Sequence, residues 1–308
     1  MNQAKVLNFF GLLLIMFGIS FAIPLFVAIF YGESLIRVFG LGMSILVLVG
    51  FLSWFFTKDN KQELSLSDGF VITVLFWIVL SVSGSIPFIL FGFGVVDSFF
   101  ESMSGITTTG ATVIAGLDDL PKSLLIYRQL LQWLGGMGLI VLAIAVMPLL
   151  GIGGGQLFKT QTPGPMSEQR LTPRITSTAR ALWSIYFVLT VLCIFAYRLA
   201  GMSYFDAVSH AFSTVSIGGF STHDLSIGFF DSLSIEIVCI TFMLLSAMSF
   251  AVHYSAIYRK QVLKYFYDPE LRFFVSLLIV ILGLVCLSLF ANDIDNPIRS
   301  GLFQTVSI

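Results

Sequence analysis

The chain has 308 residues, of which 57% are apolar, 15% aromatic and only 11% charged, far below the charged fraction of about one quarter in soluble domains. Mean hydropathy is +0.96. A soluble enzyme is excluded, because the apolar runs are long enough to cross about 30 Å of hydrocarbon, and an all-α polytopic membrane protein is predicted. The formal net charge of −1 carries no information in its sum.

Met1 to Lys5 lead into an apolar stretch of about 25 residues without a small-residue cleavage pattern. An uncleaved first helix is therefore expected. Seven runs are long enough to span, about 4–30, 35–56, 70–93, 124–150, 180–200, 235–258 and 273–291. Cys193, Cys239 and Cys286 fall deep inside such runs, as small hydrophobes do, and suggest neither a disulfide frame nor a zinc site. Two segments differ: 97–112 (DSFFESMSGITTTGAT) and 206–221 (DAVSHAFSTVSIGGFS) are too short and polar to span, yet too apolar for ordinary loops. They read as re-entrant segments.

With the N-terminus in the cytoplasm, eleven of the sixteen Lys and Arg fall on the inner side; Arg37, Lys122, Arg128, Arg198 and Arg299 fall outside. That is a positive-inside bias. The acidic residues lean the other way, leaving −6 outside and +5 inside. Both re-entrant segments thus open on a negative outer face.

Aligning Asp97 with Asp206 brings Gly110 onto Gly219 without a gap, with Glu101 facing His210, Ser104 facing Ser213 and Thr107 facing Ser216. The repeating unit is helix, re-entrant segment, helix. A third unit starts with the run at 273–291, and its tail Phe303–Ile308 matches Phe100–Gly105 in position. Four parts follow: an accessory transmembrane hairpin over 1–66, a first unit over 67–160, a second over 161–265, and a partial third over 266–308. The chain stops where a third Thr/Gly stretch would begin, so it is expected to be an incomplete pore.

Non-helical backbone at membrane depth is tolerated only where protein buries it or where it lines a watery cavity. Each segment could enter as a half-helix, roughly 97–106 and 206–214, and return extended through Thr107–Gly110 or Ser216–Gly219. Backbone carbonyls from such loops can replace the hydration shell of a cation, as in filters with the arrangement of potassium channels. Glycine adopts φ > 0 without penalty and so lets consecutive carbonyls point the same way. A half-helix whose C-terminal end faces the pore adds negative dipole there, which favours a cation.

FESMSGITTTGATV at 100–113, FSTVSIGGFSTHD at 212–224 and QWLGGMGLIVLAIAVMPLLGIGGGQLF at 132–158 resemble the Trk/Ktr/HKT superfamily of potassium transporters, and most of all its bacterial Trk branch. The resemblance covers nearly the whole chain, including the N-terminal hairpin. It implies potassium uptake across the bacterial cytoplasmic (inner) membrane, through four units around one pore. One glycine per unit marks the filter, and Gly110 and Gly219 match two of the four. Filter-bound K⁺ is expected at Thr108, Thr109, Ile217 and Gly218, with Gly110 and Gly219 in the same strands. No organic cofactor and no nucleic acid are implied. A homodimer is implied, as is a TrkA-like cytoplasmic nucleotide-binding regulatory subunit, for which 159–180 and 259–272 are candidate surfaces.

Around this filter, Thr107 and Ser216 are read as support, Asp97 and Asp206 as N-caps of the half-helices, and Glu101 and His210 as braces behind the filter. Gly135–Gly138 (GGMG) reads as close helix packing. Gly151–Gly155 reads as a cytoplasmic turn that only superficially resembles a phosphate loop. His223 and His253 are expected to be interfacial and without special function. The competing reading is an intramembrane serine protease with Ser104 as nucleophile and His210 as base. The repeat speaks against it, since Ser104 has a mate in Ser213 and His210 one in Glu101.

Overall fold

A computed structural model describes residues 3–58, 66–146, 171–294 and 296–308. The chain opens with a broken helix, α1 (Gln3–Ser20) and α2 (Ala22–Tyr31), followed by α3 (Ile36–Thr57). Pro24 accounts for the break at Phe21, because it offers no N–H to the preceding turn. α1 and α3 pack backbone to backbone at Gly11 and Gly50, where a Cβ on Gly11 would lie 2.7 Å from the Trp54 nitrogen. Small residues permit such an approach where lipid offers no hydrophobic drive between helices.

The first unit comprises α4 (Leu66–Phe91), α5 (Val95–Ile106) and α6 (Lys122–Val146). The second comprises α7 (Leu171–Leu199), α8 (Tyr204–Val215) and the bent pair α9 (Leu233–Ala247) and α10 (Phe250–Tyr258). A short α11 (Lys264–Tyr267) leads to the third unit, α12 (Pro269–Ala291) and α13 (Pro297–Ser307), and the expected tail match at Phe303–Ile308 lies in this last half-helix. Among the described residues five helices are long and apolar enough to cross a membrane, and the bent pair would make a sixth. The remaining predicted run, 124–150, is α6 as far as Val146.

The run 235–258 is not one straight helix: α9 and α10 meet at 89°, because Met248 and Ser249 adopt extended dihedrals. The break frees the Leu245 carbonyl, and His253 Nε2 lies 2.8 Å from it while Nδ1 lies 2.7 Å from the Tyr265 hydroxyl. His253 therefore has a structural task, satisfying backbone that left the helix at membrane depth. α7 begins at Leu171, inside the candidate surface 159–180, with Pro173 in its first turn where a missing N–H costs nothing. Gly151–Gly155, Lys159–Arg170 and the hairpin boundary at 59–65 lie outside the described residues.

The hairpin is tied to the first unit by an aromatic knot. The Tyr127 ring sits 5.3–5.4 Å from those of Phe21, Phe39 and Phe88, and all four side chains are fully buried. Its hydroxyl donates to the Gly84 carbonyl at 2.7 Å. At the tip of the hairpin Glu33, in the α2–α3 turn, accepts from the Lys122 and Ser123 backbone N–H groups and from the Ser123 hydroxyl. A carboxylate from the hairpin thus caps the N-terminus of α6, where the helix dipole favours it.

Candidate functional site

The two half-helices have 12 residues each and end in the same way. Thr109 N–H donates to Ser104 C=O at 2.9 Å and Thr108 N–H to Gly105 C=O at 3.0 Å; Gly218 donates to Ser213 at 2.8 Å and Ile217 to Thr214 at 3.1 Å. This is the Schellman pair of bonds, which needs a left-handed residue after the cap. Thr108 (φ 55°) and Ile217 (φ 53°) occupy that position. Glycine is the usual choice there, and a β-branched residue held at positive φ is strained. Two residues on, Gly110 (φ 78°) and Gly219 (φ 84°) are again left-handed, while Thr109 and Gly218 are not. The backbone thus alternates in sign over 108–110 and over 217–219.

The strands face each other: a Cβ on Gly110 would collide with the Gly218 carbonyl oxygen. Thr109, Gly110, Ile217, Gly218 and Gly219 line one cavity of about 680 Å³, which α13 closes on another side through Arg299, Ser300, Phe303 and Gln304. Thr108 is not in its wall. Thr107 donates its hydroxyl to Met103 C=O at 2.7 Å and lies 2.8 Å from the Thr109 hydroxyl. Ser216 donates to Ser213 C=O at 3.1 Å.

Behind the first strand, the buried Glu101 carboxylate accepts from the Thr112 hydroxyl at 2.9 Å, from Val113 N–H at 3.2 Å and from Arg128 Nε at 2.8 Å. Arg128 is fully buried on α6 and also donates to Thr112 Oγ1 and to Ser221 C=O, both at 3.0 Å, with its guanidinium 4.4 Å from the Phe220 ring centre. Behind the second strand, His210 Nδ1 lies 2.9 Å from Asp206 C=O and Nε2 lies 2.9 Å from the Ser221 hydroxyl. A carbonyl can only accept, so Nδ1 carries the proton and, in the neutral ring, Nε2 accepts from Ser221. One turn below Arg128, Gln132 donates from Nε2 to Gly218 C=O at 2.7 Å and accepts from Phe220 N–H at 3.1 Å. The glycines after it are close-packed: a Cβ on Gly135 would collide with the Ile106 carbonyl, and one on Gly136 would lie 3.0 Å from the Ser216 Cβ.

Arg128 and Gln132 escape the sequence reading, which counts Arg128 only among the outer charges. The signal was there, since both stand inside an apolar run and four residues apart, on one helix face. An ionisable residue inside a span is costly and marks a site.

Asp97 and Asp206 are not N-caps. Gly94 and Ser203 hold those positions, and the aspartates stand three residues later. Ser203 Oγ accepts from Asp206 N–H at 3.1 Å and donates to the Asp206 carboxylate at 2.6 Å, a variant of the capping box. Asp206 also accepts from the Thr222 hydroxyl at 2.9 Å. Nor is His223 idle: its Nδ1 is bonded to the Asp118 carboxylate, its Nε2 lies 3.5 Å from Asp206 Oδ1, and its ring stacks on Phe229 at 3.5 Å. Asp224 returns the contact by accepting from Gly116 and Leu117 N–H at 3.0 and 2.9 Å. The loops that follow the two strands are therefore clasped. The hydrogen bond from His223 holds the Asp118 carboxyl below the usual carboxylate range.

The protease reading fails on this geometry. A nucleophile needs its base within hydrogen-bond reach, but both His210 nitrogens are engaged by Asp206 and Ser221, and the buried Ser104 hydroxyl has no partner.

The sequence model of the TrkH family, described as a cation transport protein, matches residues 35–299. The chain belongs to the TrkH family. Among similar proteins, the Trk system potassium uptake protein TrkH of Halomonas elongata is 46% identical over 314 residues, and that of Vibrio parahaemolyticus 47% over 318. Both alignments take in 100% of this chain and 65% of the relative. The chain thus spans about two thirds of the length of these TrkH proteins. The crystal structure of the potassium transporter TrkH from Vibrio parahaemolyticus superimposes with a TM-score of 0.89 at 44% identity, over 100% of this chain and 64% of that one.

Proposed function

We propose that this chain supplies filter strands of a K⁺-selective pore, as part of the membrane subunit of a Trk-type uptake system. The observation that carries the reading is the opposed pair of strands, Thr108–Gly110 and Ile217–Gly219, each reversing a half-helix with alternating φ and meeting where Gly110 touches the Gly218 carbonyl. Carbonyl oxygens of Thr109, Ile217 and Gly218, all in the cavity wall, replace the water around K⁺, Thr108 supports them from outside that wall, and the C-terminal ends of α5 and α8 add negative dipole. The ion moves from a negative outer face into the cytoplasm, drawn by about 2.3 kcal/mol per charge for each 100 mV of membrane potential. No covalent step is needed. The membrane is the bacterial inner membrane with the N-terminus in the cytoplasm, which the charge asymmetry supports. The hairpin 1–66, the units 67–160 and 161–265 and the partial unit 266–308 assemble as a homodimer, with a TrkA-like nucleotide-binding subunit on the cytoplasmic side.

The test uses the gene product that carries this chain, expressed in a cell deficient in potassium uptake and grown on low potassium. Growth is expected to be restored, and Gly110→Ser to shift transport toward sodium, because a Cβ at that glycine displaces the Gly218 carbonyl. An unchanged K⁺/Na⁺ ratio in that variant would remove Gly110 from the filter.

A further inference from the structure

We infer that Gln132 is a positioning residue that sets the ion selectivity of the second filter strand; this rests on the pore reading above. Gln132 does not line the cavity and is fully buried on α6, a helix of the first unit. Its amide nevertheless spans the second unit's strand, donating to Gly218 C=O and accepting from Phe220 N–H. Gly218 has no room for a side chain because the Gln132 carboxamide fills that space. The Gly218 oxygen that Gln132 holds is also the atom against which Gly110 packs. One amide therefore fixes both the rotation of the 218–219 peptide and the separation of the two strands.

A carbonyl filter discriminates between ions through the number and placement of its oxygens, and a strand free to rotate loses that placement. The second unit offers no equivalent to the first. The helices that follow the strands start at Lys122 and Leu233, 111 residues apart, which places Met243 opposite Gln132, buried and with no donor for a backbone carbonyl, while the nearby Thr241 is exposed and donates to Ile237 C=O of its own helix. The splint is therefore one-sided.

The experiment measures K⁺ and Na⁺ flux in liposomes containing the gene product that carries this chain. Gln132→Met keeps the length and volume but neither hydrogen bond, and Gln132→Glu keeps only the acceptor. Both are expected to lower the K⁺/Na⁺ flux ratio about tenfold, the size of one buried hydrogen bond left unmade. Na⁺ flux rises, while maximal K⁺ flux stays within about twofold, a split that loss of packing alone does not produce. Thr241→Val leaves the ratio unchanged. A wild-type ratio in either Gln132 variant at normal membrane abundance overturns the inference, and so does failure of both variants to reach the membrane, which would make Gln132 a folding residue. An unselective wild-type protein would instead overturn the pore reading itself.

Discussion

At the first half-helix Glu101 meets Thr112 eleven residues on, and at the second His210 meets Ser221 at the same separation, yet the two braces differ in charge. The first is an ion pair with Arg128, both side chains fully buried; the second is a neutral imidazole between a carbonyl and a hydroxyl. The backbone bonds that end the half-helices match one for one across the repeat. Chain geometry has thus been retained while the chemistry that holds it diverged. The dependence is also unequal. Arg128 and Gln132, both on α6, reach across to Ser221, Gly218 and Phe220 of the second strand, so the first unit supports the second as well as itself.

The sharpest way to break this comparison is to remove one partner from each brace. Arg128→Met leaves the Glu101 carboxylate buried without its cation, a change worth about 3–5 kcal/mol. His210→Gln keeps a neutral hydrogen-bonding group and is expected to cost about 1 kcal/mol. Thermal unfolding of the detergent-solubilised protein, followed by fluorescence-detected size exclusion, separates the two. Equal losses would show that the ion pair is no more demanding than the neutral brace.

A second contrast lies between the two left-handed glycines that follow the half-helices. Both Gly110 and Gly219 are left-handed, so an alanine at either carries a conformational cost of about 1–2 kcal/mol. Only Gly110 also meets a neighbour, the Gly218 carbonyl; a Cβ on Gly219 would find nothing within 4 Å. Gly110→Ala is therefore expected to abolish K⁺ flux and Gly219→Ala to retain part of it. The reverse order would mean that the strands do not meet at Gly110.

The repeat, the half-helices and the left-handed glycines after them were legible because they are local: a Thr/Gly stretch after an amphipathic dozen residues writes its own backbone. What the sequence hid depends on distance in the chain. Gln132 acts on a carbonyl 86 residues away and Arg128 on one 93 residues away, and no spacing rule links them. The misplaced caps have a different cause. Asp97 outranks Gly94 as a capping residue and Asp206 equals Ser203, but the helices begin three residues earlier, at Gly94 and Ser203, and Asp206 serves as the return half of its box. The bend in the run 235–258 was invisible because Met248 and Ser249 contain neither proline nor glycine; its support comes from His253, outside the broken turn.

The smallest effect expected is at the loop clasp, where the first unit's Asp118 holds the second unit's His223. Asp118 is nearly half exposed, so Asp118→Asn should cost no more than a surface pair, about 0.2–1 kcal/mol. Its signature is in the pH dependence. The Asp118 carboxyl titrates below its ordinary value of 3.8 in the folded protein because His223 is bonded to it. The folded state therefore binds that proton less readily than the unfolded chain, and the stabilisation is fully present above the ordinary value and lost as pH falls through the depressed one. Melting curves of wild type and Asp118→Asn should run parallel from neutral pH down to about 4 and converge below it. Curves that already converge at neutral pH would show that the Asp118–His223 half of the clasp adds nothing to stability, and that Asp224 on the Gly116 and Leu117 N–H groups holds the two loops together.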